Sequence, residues 1–178
     1  MPRTDPEPGK TIGKWMVYAS WILFLALLTV FFNNYLEKQY NPNAKVQKSL
    51  NPDGSYDVSL TRNRYGHYVT NGLINGRSVT FLLDTGATNI SIPEPVARHL
   101  GLEPGAPHSV STANGTITVY STMLDSVAIG PLEIQGLLGD INPYMGGEEI
   151  LLGMNFLKHL EIIQRGDQLI LRPPSTRM

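Results

Sequence analysis

The segment Val79-Thr80-Phe81-Leu82-Leu83-Asp84-Thr85-Gly86-Ala87-Thr88 runs from apolar residues into one acid and then into a turn of small residues. That order suits proton-transfer chemistry. A strand buried through Phe81 to Leu83 would hold Asp84 rigidly in low-dielectric surroundings, and a carboxylate so held is a candidate general acid or base. Gly86 lets backbone amides approach the carboxylate with no side chain between them. Thr85 adds a hydroxyl that can bond to local backbone or across an interface. An Asp that merely opens a β-turn would also give Asp-Thr-Gly. Three features weigh against that plainer reading: the apolar run before the acid, a tight turn at Asn114-Gly115 about 30 residues on, and Ile150-Leu151-Leu152-Gly153 ahead of a short helical segment.

Other chemistries find less support. The 178 residues include no Cys, which excludes a disulfide framework, thiolate metal sites and a cysteine nucleophile. His67, His99, His108 and His159 show no ligand spacing, so each reads as a surface or core-edge residue and no metal or other cofactor is expected. Ser, His and Asp are plentiful, but there is no Gly-x-Ser-x-Gly elbow. Gly146-Gly147 lacks the Lys of a phosphate loop, and Glu148-Glu149 reads as a solvated turn. With 14 Lys and Arg against 15 Asp and Glu, the net charge of −1 excludes a basic nucleic-acid footprint.

The elements that must position Asp84 are mostly short β-strands, from Asp57 to about Pro173. His67–Ile74 and Arg77–Leu83 flank Asn75-Gly76, the favoured pair for a two-residue hairpin. Asn89–Ile92 reads as a strand and Pro93–Leu100 as a short helix stopped by Gly101. His108–Ala113 and Thr116–Met123 flank Asn114-Gly115; Asp125–Ile129 and Leu132–Leu138 flank Gly130-Pro131. Glu149–Leu152 is apolar, Met154–Leu160 reads as helical, and Glu161–Gln164 with Gln168–Leu171 form a last hairpin. The expectation is an all-β domain over residues 57–173 with one short C-terminal helix, large enough for its own core.

Ahead of it, Trp15–Phe32 is a run of 18 residues with no charge, Pro or Gly. As a helix it would be about 27 Å long, close to the hydrocarbon thickness of a bilayer. Trp15, Tyr18 and Trp21 toward one end and Tyr35 beyond the other suit the two interfaces. No small-x-small cleavage site follows, so residues 15–32 are read as an uncleaved transmembrane anchor after an N-terminal tail at 1–14. Arg3, Lys10 and Lys14 on one side balance Lys38, Lys45 and Lys48 on the other, so charge does not orient it. Residues 33–56, rich in Asn with Pro42 and Pro52, are expected to be a flexible tether, and 174–178 a C-terminal tail.

From about Tyr65 to Leu171 the chain resembles the retropepsin-type aspartic proteases, specifically their bacterial, membrane-anchored members. Asp84-Thr85-Gly86-Ala87 matches the catalytic signature, and Thr112-Ala113-Asn114-Gly115-Thr116 sits where the flap hairpin belongs. Leu151-Leu152-Gly153 matches the second signature, which packs behind the catalytic loop. Leu137-Leu138-Gly139 is a competing match, disfavoured because no helix-like segment follows it. Retroviral members usually carry an acid two positions after the first Gly and an Arg after the later one; here Thr88 and Met154 stand there, so both partners of that ion pair are missing together.

The resemblance implies a closed β-barrel or sandwich in which Asp84 is catalytic, Thr85, Gly86 and Ala87 support its loop, and Ala113, Asn114, Gly115 and Thr116 form the flap. It also implies an inner-membrane, single-pass protein with a periplasmic domain that cleaves extended peptides. With a single Asp-Thr-Gly per chain, the two carboxylates of such an enzyme must come from two copies. Expected partners are therefore a second copy, a peptide or protein substrate and the lipid bilayer. A non-catalytic dimerisation or peptide-binding module with the same fold is the alternative. Asp84→Asn separates the two: cleavage of casein should drop to background while circular dichroism stays unchanged, and retained cleavage would refute the catalytic assignment.

Overall fold

Asn75 and Gly76 both adopt positive φ, 50° and 75°. A type I′ turn requires this, and its twist matches that of the strands it joins. They link β3 (Val69–Ile74) to β4 (Arg77–Leu83) in register from Ile74↔Arg77 to Val69↔Leu82. The computed structural model describes residues 8–112 and 115–174, with side chains from residue 13 onward. It falls into two units, residues 1–39 and 40–178.

The first unit is built on α1 (Pro8–Tyr40). Within it, Gly13–Tyr40 is long and apolar enough to cross a membrane, a composition shared by membrane spans and signal sequences. Its large apolar side chains are exposed, Trp15, Trp21, Leu27 and Phe31 each by at least 60%. Such a surface is unfavourable in water. The helix continues through Asn33–Tyr40, where a tether was expected; Leu36, Glu37, Lys38 and Gln39 are strong helix formers.

The second unit holds two sheets and two short helices: β1 (Gln47–Leu50), β2 (Tyr56–Thr61), β3, β4, β5 (Ile90–Pro93), α2 (Glu94–Leu100), β6 (Pro107–Thr112), β7 (Gly115–Ile129), β8 (Leu132–Asn142), β9 (Glu149–Leu152), α3 (Met154–Leu157), β10 (Glu161–Arg165) and β11 (Gln168–Arg172). The smaller sheet has the order β1-β2-β11-β10. The larger one has the order β3-β4-β9-β5-β8-β7-β6, and a further pairing of β3 with β7 at Leu73↔Ala128 and Ile74↔Val127 curls it toward closure. Phe81, Ile90, Ile92, Leu124, Ile150, Leu152 and Phe156 are fully buried between these layers. This is the expected mostly-β architecture with its short C-terminal helix.

Three boundaries differ most from the sequence reading, and one of them is the strand expected over Leu132–Leu138, which runs on to Asn142 as β8 because it stays paired with β5 and β7. Thr116–Met123 and Asp125–Ile129 are one 15-residue strand, β7, because the chain stays paired with β8 on either side of Asp125. The helix expected over Met154–Leu160 ends at Leu157.

The rest of the expected tether, residues 41–56, is built into the domain. Asn41 and Asn43 are buried. The Asn43 side-chain amide donates to the carbonyls of Thr61 and Val69, at 2.9 and 2.7 Å, and its Oδ1 accepts from the Thr61 amide at 2.7 Å. A primary amide can stand in for a peptide group in this way, so an Asn-rich stretch is not by itself a flexible one. β1 then pairs with β2 from Gln47↔Ser59 to Leu50↔Tyr56.

Asp57 on β2 is buried beneath Arg172 at the end of β11. Arg172 Nε and Nη2 donate to its two carboxylate oxygens at 3.0 and 2.7 Å, and Asn51 Nδ2 donates at 2.6 Å. The Arg172 hydrogen bonds hold the Asp57 carboxyl below its usual range against the opposing pull of burial. A carboxylate depressed on folding contributes stability that is present above its unfolded pKa and is lost as pH falls through the folded value. Asp57→Asn should therefore lower the urea midpoint of the chain at neutral pH, and its difference from the parent should shrink as a pH series descends through that acid range. A difference independent of pH would refute the charge-based account.

Candidate active site

Strand β9 lies between β4 and β5, and that insertion shapes the turn carrying Asp84. β9 runs parallel to β4, from Thr80↔Glu149 to Leu83↔Leu152, and meets β5 at Ser91↔Leu151. The chain leaves β4 on one side of β9 and returns on the other as β5, so residues 84–89 must arch across the end of β9. The Asp84 amide donates to the Leu152 carbonyl at 3.2 Å. The Ala87 amide donates to the Asp84 carbonyl at 3.2 Å and closes the turn. Within it the Gly86 amide donates to Asp84 Oδ1 at 2.8 Å.

A Cβ built on Gly86 would sit 3.1 Å from that same oxygen, so the glycine leaves the carboxylate room. Asp84 is half-buried, Thr85 and Gly86 are exposed, and Ala87 is half-buried. The carboxylate is thus oriented by backbone and open on its outer side.

Gly153 fixes the arch from behind. A Cβ there would lie 2.3 Å from the Asn89 carbonyl oxygen and 2.7 Å from that of Ala87. Its φ of −84° is ordinary, so close approach and not backbone freedom demands glycine. The next two amides continue the contact, Met154 donating to Ala87 at 2.8 Å and Asn155 to Thr88 at 2.9 Å. Leu152, through its carbonyl, and Gly153, through its close approach, thus lie against the Asp84 turn. The competing Leu137-Leu138-Gly139 lies within β8.

Residues directly opposite on neighbouring strands share a face of the sheet. From Leu82 that face runs across Leu151, Ser91, Asp140 and Ser121. Asp84, two residues beyond Leu82, is the next position on it. The β6–β7 hairpin rises at the far side of the same sheet. Its tip, Ala113 and Asn114, lies outside the described residues; Gly115 and Thr116 begin β7, with Gly115 opposite Thr112. Thr112 Oγ1 donates to the Gly115 carbonyl at 2.8 Å.

Sequence reading passed over three polar residues of this face. Asp140 is buried, its Oδ2 accepts from Asn89 Nδ2 at 3.0 Å, and its Oδ1 lies 3.3 Å from His108 Nε2. No local motif marks them, since they come from β8, the Asp84 arch and β6. Asn155 is a fourth, donating from Nδ2 to the Leu138 carbonyl at 2.6 Å; its place just after Gly153 was the available signal. Among the described residues, no three His, Cys, Asp or Glu side chains form a metal-sized cluster.

A family model described as "gag-polyprotein putative aspartyl protease" matches residues 70–159, which contain the arch, the hairpin and Gly153. The chain belongs to this family, the retropepsin-like aspartic proteases. The crystal structure of a retropepsin-like aspartic protease from Rickettsia conorii matches with a TM-score of 0.55 at 26% identity, over 72% of this chain and 95% of that one. An uncharacterized protein in the cobV 5′ region of Sinorhizobium sp. is 34% identical over 124 residues, 67% of this chain and 53% of that protein. The uncharacterized protein RP867 of Rickettsia prowazekii (strain Madrid E) is 28% identical over 154 residues, 80% of this chain and 64% of that protein. This chain thus spans 53% and 64% of the length of these two curated relatives.

For a retropepsin-like domain the Gly153 contact should be indispensable. Gly153→Ala forces two backbone carbonyls aside, so it should cost on the order of 1–3 kcal/mol of stability. Urea unfolding checks this; a parent-like midpoint would show that the arch gives way freely.

Proposed function

We propose that this chain is a membrane-anchored, homodimeric aspartic endopeptidase that hydrolyses peptide bonds in extended segments. The observation that carries the proposal is the Asp84 turn: one carboxylate per chain, oriented by the Gly86 amide and open outward. In this reading Asp84 is the catalytic residue and meets the partner subunit's Asp84 across a two-fold axis. Two carboxylates sharing one site share one proton. The ionised one takes a proton from a water as that water attacks the scissile carbonyl, and the protonated one donates to the developing oxyanion; as the carbon–nitrogen bond breaks, the first passes its proton to the leaving amine and the second takes one back from a hydroxyl of the tetrahedral carbon.

Thr85, Gly86 and Ala87 hold the geometry, the Gly86 amide by its bond to Oδ1. The hairpin bearing Ala113, Asn114, Gly115 and Thr116 acts as the flap. It closes over the peptide, excludes bulk water and bonds to the peptide backbone, which selects extended substrates. Leu82 and Leu151, half-buried on the same face, supply apolar floor on which side chains of the substrate rest. The reaction needs no cofactor.

The apolar helix supports the membrane assignment. Its exposed Trp15 and Trp21 at one end and Tyr35 near the other suit the two interfaces of a bilayer. The domain would lie in the periplasm of a cell whose inner membrane holds the helix. Confining copies to one membrane raises their effective concentration and so favours the dimer.

Specific activity of the full chain in detergent should fall on dilution, and reconstitution into liposomes should reduce the loss. A pepstatin-type inhibitor should abolish cleavage in both settings. Activity per chain that stays constant far below the measured dissociation constant of the dimer would overturn the shared-carboxylate reading.

A further inference from the structure

The β6–β7 hairpin is a two-stranded ribbon over most of its length. β7 pairs with β8 only from Tyr120↔Ile141 onward, so residues 115–119 of β7 have β6 alone as a described ladder partner on the hairpin side. Two-stranded ribbons are marginal by themselves. Below the point of departure the chain is fixed by backbone: the Gly105 amide donates to the Ser121 carbonyl at 2.7 Å, and the Ser121 amide donates to Ala106 at 3.1 Å. The first rung beyond the sheet is His108↔Val119.

At that rung a side chain reaches back to the sheet. His108 Nε2 lies 3.3 Å from Oδ1 of Asp140 on β8, while Oδ2 of the same carboxylate accepts from Asn89 in the Asp84 arch. The Asp140 side chain is only 9% exposed, and that of His108 is 40% exposed. Burying a carboxylate is costly unless its oxygens are partnered. Here the two oxygens face different elements, the base of the hairpin and the loop that carries the candidate catalytic residue.

We propose that Asp140 and His108 are positioning residues that hinge the hairpin at a fixed height above the Asp84 turn, with Asn89 as the anchor on the turn side. The tie sits where the ribbon loses its third strand, so it limits how far residues 109–112 and 115–118 swing without touching peptide itself. Peptide binding needs the hairpin near the floor; an untethered hairpin spends more time away and lowers apparent affinity by the fraction of time it is competent. The inference rests on the endopeptidase reading for its effect on cleavage, but its structural half stands apart from that reading.

Both halves are tested on the full chain in detergent with His108→Ala, Asp140→Asn, the double variant and His108→Gln. Amide hydrogen exchange over residues 109–118 should accelerate about tenfold in His108→Ala, with β4 and β9 unchanged. The double variant should add little to either single change. His108→Gln, which offers an amide donor at similar reach, should restore protection. In the cleavage assay of His108→Ala KM should rise about tenfold with kcat within twofold, because the Asn89–Asp140 bond on the side of the Asp84 turn is kept. Exchange over 109–118 that matches the parent, or acceleration spread equally over the core strands, overturns the hinge. So does a fall in kcat at constant KM. If the parent chain cleaves nothing, the endopeptidase reading fails, and the exchange data alone decide the hinge.

Discussion

The contact between Gly153 and the carbonyls of Ala87 and Asn89 is the constraint from which the rest of the site follows. It lets the end of β9 press directly against backbone, and only then can the 84–89 arch cross it with Asp84, Met154 and Asn155 amides all bonded across the gap. A side chain at that point would lift the arch and with it the carboxylate. The apolar strands on either side, Phe81–Leu83 and Ile150–Leu152, serve to hold this backbone junction in register.

Elsewhere the domain relies on polar side chains that act as pieces of backbone. Asn43 bridges the Thr61 and Val69 carbonyls, Asp57 gathers Asn51 and Arg172, and Asp140 gathers Asn89 and His108. Each joins segments far apart in the chain and each is buried, so every one of these links is specific as well as stabilising. They occupy places where β-strands end or diverge and ladder bonds run out.

This division explains what could be read from the sequence. Asn75-Gly76, the apolar run to Leu83 and the Leu-Leu-Gly ahead of α3 are local signals, and the structure places them where those signals put them. The bonds made by Asn41, Asn43, Asn89, His108 and Asp140 are not local. Asn in a Pro-containing stretch reads as loop, and a lone His or Asp reads as surface, until the partner strand is known. The same holds for β7: a Met-Leu-Asp-Ser sequence in mid-strand looks like a break because the partner that carries it through, β8, is read separately.

β7 also has a bearing on how such a domain diversifies. Its 15 residues belong to the hairpin at one end and, through Leu73↔Ala128 and Ile74↔Val127, to the seam of the barrel at the other. The hairpin is therefore not a cassette. A chimera that imports only residues 107–119 from a relative keeps the seam but inherits a foreign base, whereas one that imports all of β7 must bring a matching β3 and β8 as well. A graft that leaves the fold intact must therefore stay on the tip side of His108, where, among the described residues, the ribbon has no ladder partner beyond its own two strands.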